Sequence, residues 1–338
     1  MSRVLVVGGA GYIGSHMVRM LAEAGHGVTT FDNLTLGHRD AVLAGDIVEG
    51  DLLDPSSLAR AFAGRAFDAV MHFAAFAYVR ESVVAPRKYY ENNVVGTVNL
   101  VNAMLDAGVK RLVFSSTCAT YGEVESGPIT EATTQEPVNP YGRTKLVIEG
   151  LLRDYADAYG LSSVSLRYFN AAGASMDGTL AERHDPEPHL IPLVLRETER
   201  VLDGGDPAAT NLEVYGTDFP TPDGSCVRDY VHVEDLCAAH LLAVDRLIAR
   251  AELGAEAYNL GSDRGFSVLE IIDAARRVTG APIEHRAVGR KKGDPATLVA
   301  STKRAREVLG WEPRHTDLDS ILRSAWYASY PKRRPAGA

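Results

Sequence analysis

Cysteine is scarce in this chain of 338 residues: Cys118, Cys226 and Cys237 are the three present, at no disulfide-framework spacing. That excludes a stapled secreted scaffold and points to a reducing, cytoplasmic setting. Long apolar runs are also lacking, well short of the roughly 20 residues a membrane-spanning helix needs. No signal peptide is expected, because an apolar strand (RVLVV, 3–7) begins almost at once. Basic charge is in the minority, with 35 Lys and Arg against 44 Asp and Glu. The resulting net charge of −9 argues against nucleic acid or a polybasic membrane contact. It leaves room for a few arginines to bind a small anion. No His, Cys and Asp set has metal-ligand spacing, so no metal is expected, and there is no repeat. The terminal PKRRPAGA (331–338) reads as a frayed tail.

One absence is local. In FSSTCATYGE (114–123) an apolar strand ends in hydroxyls, yet no carboxylate follows Thr117; Cys118 and Ala119 stand there instead. Cys118 has no base at a recognisable spacing and reads as a small packed residue.

What is present is an ordinary folded composition, 46% hydrophobic and 23% charged. Up to about residue 168, β-branched runs at 3–7, 28–32, 46–48, 69–73, 111–116 and 162–167 alternate with amphipathic stretches at 12–24, 87–107 and 140–158. Strands alternating with helices predict parallel βαβ units and a doubly wound, Rossmann-type α/β sheet. Residues 171–230 are rich in Gly, Pro, Asp and Thr and read as loop-heavy. Helices are expected again near 232–249, 267–279 and 317–330, with short strands near 212–215, 256–260 and 283–287. The expected division is a dinucleotide-binding domain over 1–170, rejoined around 230–260, and a smaller C-terminal α/β lobe over 171–338.

The run VGGAGYIG (7–14) places Gly8, Gly11 and Gly14 between a strand and a helix. Glycines there permit a tight turn and close approach of backbone N–H groups to a pyrophosphate at a helix N-terminus. Asp32 ends the second strand, 18 residues beyond Gly14. It can accept the adenosine ribose hydroxyls and would repel a 2′-phosphate, which favours NAD over NADP. Asn33 and a base in the following TLGHR loop (35–39) leave some room for adaptation.

Downstream, YGRTK (141–145) puts Tyr141 and Lys145 at i and i+4 on one helix face. A nearby ammonium and a cationic nicotinamide would each favour the phenolate, making Tyr141 a general base. Thr117 can orient the same substrate hydroxyl. A YxxxK pair alone is a common solvated helix face; here it follows a cofactor fingerprint and a hydroxyl cluster.

These motifs, with HFAA (72–75), NNVVGT (92–97), RYFN (167–170) and VRDYVHV (227–233), resemble the extended short-chain dehydrogenase/reductase superfamily, and within it the UDP-hexose 4-epimerases. The resemblance runs from Arg3 to the C-terminal helices. It implies NAD around Gly8, Gly11, Tyr12, Ile13 and Gly14, with Asp32 and Asn33 at the adenosine ribose. Asp51 and Leu52 fall on the adenine side, and Phe73, Ala74 and Ala75 line the cofactor with Asn93 and Ser115. Tyr168 lies by the nicotinamide, and Lys145 also holds its ribose. Thr117, Tyr141 and Lys145 carry the catalysis. Thr117, Tyr141, Asn170, His189, Leu190, Tyr215, Arg228, Arg290, Asp294 and Leu298 contact the UDP-sugar.

The implied reaction interconverts UDP-galactose and UDP-glucose through a 4-keto sugar and enzyme-bound NADH. Related dehydratases and decarboxylases commonly carry Asp or Glu directly after the catalytic Thr or Ser, so Cys118 and Ala119 fit an enzyme that breaks no C–O or C–C bond. A homodimer is also implied, pairing the helices that carry Val94, Val95, Val98, Leu100, Val101 and Leu105, and Leu146, Ile148, Leu151 and Leu152. The chain departs from the family's pattern at Arg80, where Gly is usual, and at Ala77, where some members carry Lys. Leu298 bears on room near the sugar C2 substituent. A 4-epimerase of UDP-N-acetylhexosamine or UDP-pentose is the alternative, then a non-catalytic NAD-binding regulator, then a product-releasing reductase.

Overall fold

Seven short apolar strands pair in parallel into one sheet. The computed structural model describes residues 1–124, 127–250, 252–291 and 295–335. Strands β1 (Arg3–Val7), β2 (Gly27–Asp32), β3 (Asp46–Glu49), β4 (Ala69–His72), β5 (Arg111–Ser115) and β6 (Ser162–Arg167) belong to it. Helices α1 (Tyr12–Glu23), α2 (Pro55–Phe62), α3 (Val79–Val84), α4 (Pro86–Tyr89), α5 (Gly96–Asp106) and α6 (Pro140–Tyr159) connect them. A wider π-type stretch, Tyr90–Val95, joins α4 to α5, so the expected helix over 87–107 is present with a bulge inside it.

Beyond β6 come β7 (Asn170–Ala172), α7 (Leu190–Leu202), β8 (Glu213–Tyr215), β9 (Val227–Arg228) and β10 (Tyr230–His232). Then follow α8 (Val233–Ala249), β11 (Ala255–Asn259), β12 (Phe266–Ser267), α9 (Val268–Thr279), β13 (Arg286–Val288), β14 (Thr297–Leu298) and α10 (Leu318–Ser329). The sheet order is β11-β6-β5-β4-β1-β2-β3, so β11 returns from late in the chain to pair with β6. The order reverses between β1 and β4, the switch point where ligands bind outside the carboxyl ends of the strands.

Two apolar layers cover the sheet. Val4, Val6 and Met71 pack with Met17 of α1 and Val244 of α8. Leu5, Val7 and Phe114 pack with Leu100 of α5 and Ile148 of α6. A separate core in the second half joins Ile191 and Val194 of α7, Ile271 of α9 and Trp326 of α10. Local signals set the ends: Asn139 accepts from Gly142 N at 2.8 Å with Pro140 in the first turn of α6, and Gly160 closes that helix at φ 70°.

The reading of 171–230 as loop-heavy needs correction, since α7 fills 190–202. Its apolar stripe packs on α9 but is short, flanked by Gly- and Pro-rich chain, and carries Pro192 in its first turn, where proline is tolerated. Helix α2, capped by Asp54 and opened by Pro55, was not expected either. The short strand expected near 283–287 falls at β13, 286–288.

Candidate active site

The strand-to-helix turn after β1 is shaped by its glycines. Gly8 has φ +83°, and a Cβ there would lie 2.4 Å from Ala74 N; one on Gly14 would lie 2.0 Å from Gly8 O. A Cβ on Gly11 would meet only Gly8 O at 3.4 Å, so that side is open. Gly11 caps α1 with no side-chain partner, leaving first-turn amides directed at the opening. Such a cradle fits a dinucleotide pyrophosphate.

Asp32 is buried rather than a solvated strand end. Its carboxylate accepts Ala10 N and Leu34 N, both at 2.9 Å, which fixes it beside the turn, while burial raises its pKa. The neighbouring base is engaged elsewhere: Arg39 pairs with Glu49 at 2.6 Å. Asn33 donates to Asp51 Oδ2 at 2.9 Å, linking the two residues read as flanking the adenosine. Leu52 is buried, and its carbonyl accepts Asn99 Nδ2 at 2.9 Å. Tyr12 donates to Gly173 O at 2.7 Å, and Ile13 packs into the core. Phe73 faces the His240 ring at 4.8 Å between centroids, and Ala75 is half-buried beside Ala74. Asn93, inside the π-type stretch, exchanges hydrogen bonds with Phe76 N (2.9 Å) and O (3.0 Å), bracing that strand end.

At the end of β5 the expected catalytic residues converge. Lys145 is buried and donates from Nζ to Ser115 O at 2.8 Å; its Nζ lies 6.0 Å from the Tyr141 ring centre. Thr117 Oγ1 accepts Ala119 N at 3.1 Å and reaches Tyr168 O at 3.3 Å. Ser115 Oγ and the Tyr168 hydroxyl share a short hydrogen bond. Burial pushes Tyr141 up to about 12, against a hydrogen bond from Thr117. Burial brings Lys145 down to about 7, against the pull of Glu149. In the chain alone desolvation therefore dominates the phenol, and the hydrogen bond from Thr117 is the group that opposes it. Cys118 is packed, its thiol pushed far up by burial, which suits no nucleophile.

Sequence reading missed what stands behind Lys145. One helical turn on, buried Glu149 accepts Ser116 Oγ at 2.6 Å and Arg167 Nε at 2.9 Å. Arg167 also donates to Tyr121 OH at 2.7 Å, which donates onward to Asn259 at 2.7 Å. The available signal was Glu149 four residues after Lys145.

The residues expected at the UDP-sugar are more scattered. Asn170 donates to Asp229 O at 2.8 Å. Arg228 donates to the carbonyls of Val227 (2.8 Å) and Pro295 (2.9 Å), while buried Asp229 accepts Ser262 and Ala300 amides instead of pairing with it. Leu298 is half-buried opposite Arg228 in strand register. Tyr215 donates to Glu213, and Arg80 lies over its ring at 5.8 Å. Arg290 is exposed and paired with Asp218 at 2.7 Å. Leu190 opens α7, and Asp294 lies outside the described residues.

His189 sits in a cluster that the sequence reading, which weighed His, Cys and Asp, passed over: Glu182, His184, Glu187 and His189 converge. Burial works against charge on the imidazoles, but hydrogen bonds to Glu182 and Glu187 outweigh it, lifting His184 to about 9 and His189 to about 10.

A parallel sheet with this turn, this acid and this tyrosine–lysine pair defines a nucleotide-dependent enzyme of the doubly wound class. The chain belongs to the NAD-dependent epimerase/dehydratase family, whose model matches residues 4–261. It is 50% identical over 334 residues to a UDP-glucose 4-epimerase of Streptomyces lividans, covering 98% of this chain and 97% of that protein. It is similar to the solved structure of UDP-glucose 4-epimerase from Brucella ovis in complex with NAD, with a TM-score of 0.91 and 49% identity over 96% of this chain and 98% of that one. A third likeness is to the Bifidobacterium longum UDP-glucose 4-epimerase in complex with NAD+ and UDP, with a TM-score of 0.88 and 34% identity over 98% of this chain and 100% of that one.

Proposed function

We propose that the chain interconverts UDP-galactose and UDP-glucose by inverting the sugar C4 centre. The observation that carries this reading is the convergence of Thr117, Tyr141 and Lys145 at the end of β5 with only Cys118 and Ala119 in the adjoining positions. NAD, which the Gly8–Gly14 turn and Asp32 would hold, would supply a reversible hydride acceptor for C4, so that the overall conversion is redox-neutral. Tyr141 takes the C4 hydroxyl proton and gives it back. Thr117 orients that hydroxyl. Lys145, fixed by Ser115 O, supplies a nearby positive charge when protonated. Without a carboxylate beside Thr117 the keto sugar has one exit, the return of its hydride, and inversion follows if the hexose has turned over meanwhile.

UDP anchoring falls to the second half, with Arg228 beside Leu298 and with Arg290, whose guanidinium must exchange Asp218 for phosphate or share it. A homodimer is supported by apolar side chains left exposed beside these helices, Val95 next to α5 and Val147 on α6. Three buried cysteines, none of them in a disulfide, suit a reducing, cytoplasmic setting. Among the described residues no helix is long and apolar enough to cross a membrane.

The test is to incubate purified protein with UDP-galactose and no added NAD, following UDP-glucose by chromatography. Formation of UDP-glucose is expected. Failure to convert it even with NAD supplied would overturn the reading and favour the non-catalytic regulator.

A further inference from the structure

We propose that Glu182, His184, Glu187 and His189 form a binding site for one divalent transition-metal cation of the Zn2+ class. These side chains come from one short segment, ERHDPEPH (182–189), between β7 and α7. Each offers a ligand atom, and all four atoms lie within 4.8 Å of one another. His189 Nδ1 is 2.7 Å from Glu182 Oε1 and 2.8 Å from Glu187 Oε1. His184 Nδ1 is 2.9 Å from Glu182 Oε1 and 3.6 Å from Glu187 Oε2.

The donor set decides the class of ion. Two imidazole nitrogens with two carboxylates suit Zn2+ and its neighbours, whereas Ca2+ and Mg2+ favour oxygen throughout. A tetrahedral ion with bonds of about 2.0–2.1 Å needs ligand atoms roughly 3.3 Å apart. Three of the separations, at 2.7, 2.8 and 2.9 Å, are shorter than that and all four ligand atoms lie within 4.8 Å of one another, so the cluster has to open on these edges and close on its longer ones, each by at most about 1.5 Å. Two carboxylates also neutralise a 2+ charge, and their side chains are only 8% and 3% exposed. In the arrangement described, protons on the two Nδ1 atoms occupy the centre that the cation would take. On binding they pass to solvent, leaving neutral imidazoles as ligands.

The surroundings support a built site. His189 is the residue immediately before α7. On the other side, Arg183 forms a two-point pair with Asp40 at 2.8 and 2.9 Å. The Tyr78 hydroxyl is buried with no partner among the described residues, and its ring stands edge-on to His184 and His189. The second grouping, His232, Glu234 and His315, is a poorer candidate. Both His232 nitrogens are engaged there, one with Ser324 Oγ at 3.0 Å and one accepting Glu234 N at 3.2 Å.

The segment edges onto the cofactor cleft, where His184 faces Tyr12 with ring centres 6.3 Å apart. The bound ion would fasten this strap over the strand-to-helix turn. It takes no part in hydride or proton transfer.

The experiment strips the holoenzyme with EDTA and titrates it with Co2+ at pH 8, following the visible ligand-field band, then displaces Co2+ with Zn2+. One ion per chain is expected, and Zn2+ should raise the melting temperature. Glu182→Gln/His184→Gln should weaken Co2+ binding by at least about 100-fold, since second-shell changes alone cost 10–100-fold. His315→Ala should bind as the unsubstituted chain does. A wild-type protein that takes up neither ion stoichiometrically would overturn the proposal whatever the variants do. So would a double variant that folds and binds as tightly as wild type.

Discussion

Lys145 donates its Nζ proton to the main-chain carbonyl of Ser115 at 2.8 Å, tying the helix that carries Tyr141 to the strand end that carries Thr117. The amine is buried, and its pKa falls to about 7. An unfolded chain would hold that proton up to the ordinary value of 10.5. Between these limits the unfolded state binds more protons, so stability rises with pH from about 7 toward 10.5. Lys145→Met removes the group and should flatten the slope, read from denaturant midpoints at pH 7 and pH 9.5. An unchanged slope would show that Lys145 is not its source.

Tyr141→Phe keeps the ring and deletes the proton acceptor. Turnover of UDP-galactose should fall by about 10²–10⁴, the usual contribution of a positioned general base. NAD recovered from the purified protein should match wild type, because the Gly8–Gly14 turn is untouched. A variant that loses NAD as well would show the ring holding the cofactor rather than moving a proton.

Glu149 and Arg167 form a buried pair at the back of the site, with side chains 2% and 5% exposed. Glu149→Leu leaves the guanidinium uncompensated and should cost about 3–5 kcal/mol of unfolding free energy. Glu149→Leu/Arg167→Met removes both charges and should recover most of that loss. Equal destabilisation in single and double variants would show that packing around Tyr121 matters more than charge.

Leu298 is half-buried beside Arg228, in the strand read as bordering the sugar. Leu298→Ala should raise kcat/KM for UDP-N-acetylgalactosamine relative to UDP-galactose by roughly tenfold, as removing a few methylenes from a pocket wall does. Parallel initial rates with both sugars provide the check. An unchanged ratio would place the C2 substituent elsewhere.

The nucleotide-binding half was legible because its signals are local. Apolar runs bounded by glycine mark the strands, and the four-residue spacing of Tyr141 and Lys145 marks a shared helix face. Helix α7 was harder: its stripe lies among loop-forming residues, and Pro192 is a breaker anywhere but the first turn. The Glu149–Arg167 pair joins a helix to a strand and has no spacing rule to announce it. Arg290 shows the limit of reasoning from residue type: a guanidinium suits phosphate, yet here it meets Asp218. The burial of the Tyr141 phenol was equally hidden, since the weight of desolvation depends on packing that no motif records.

Strand β11 also bears on how the molecule is made. Residues 255–259 complete the sheet by pairing with 163–167. During synthesis β6 therefore waits, with one row of backbone amides and carbonyls unpaired, while the intervening chain emerges. A nascent protein stalled before residue 255 would present that open edge to its neighbours. Shortened products ending between β6 and β11 are then the forms most prone to aggregate, and the forms a chaperone would have most cause to hold.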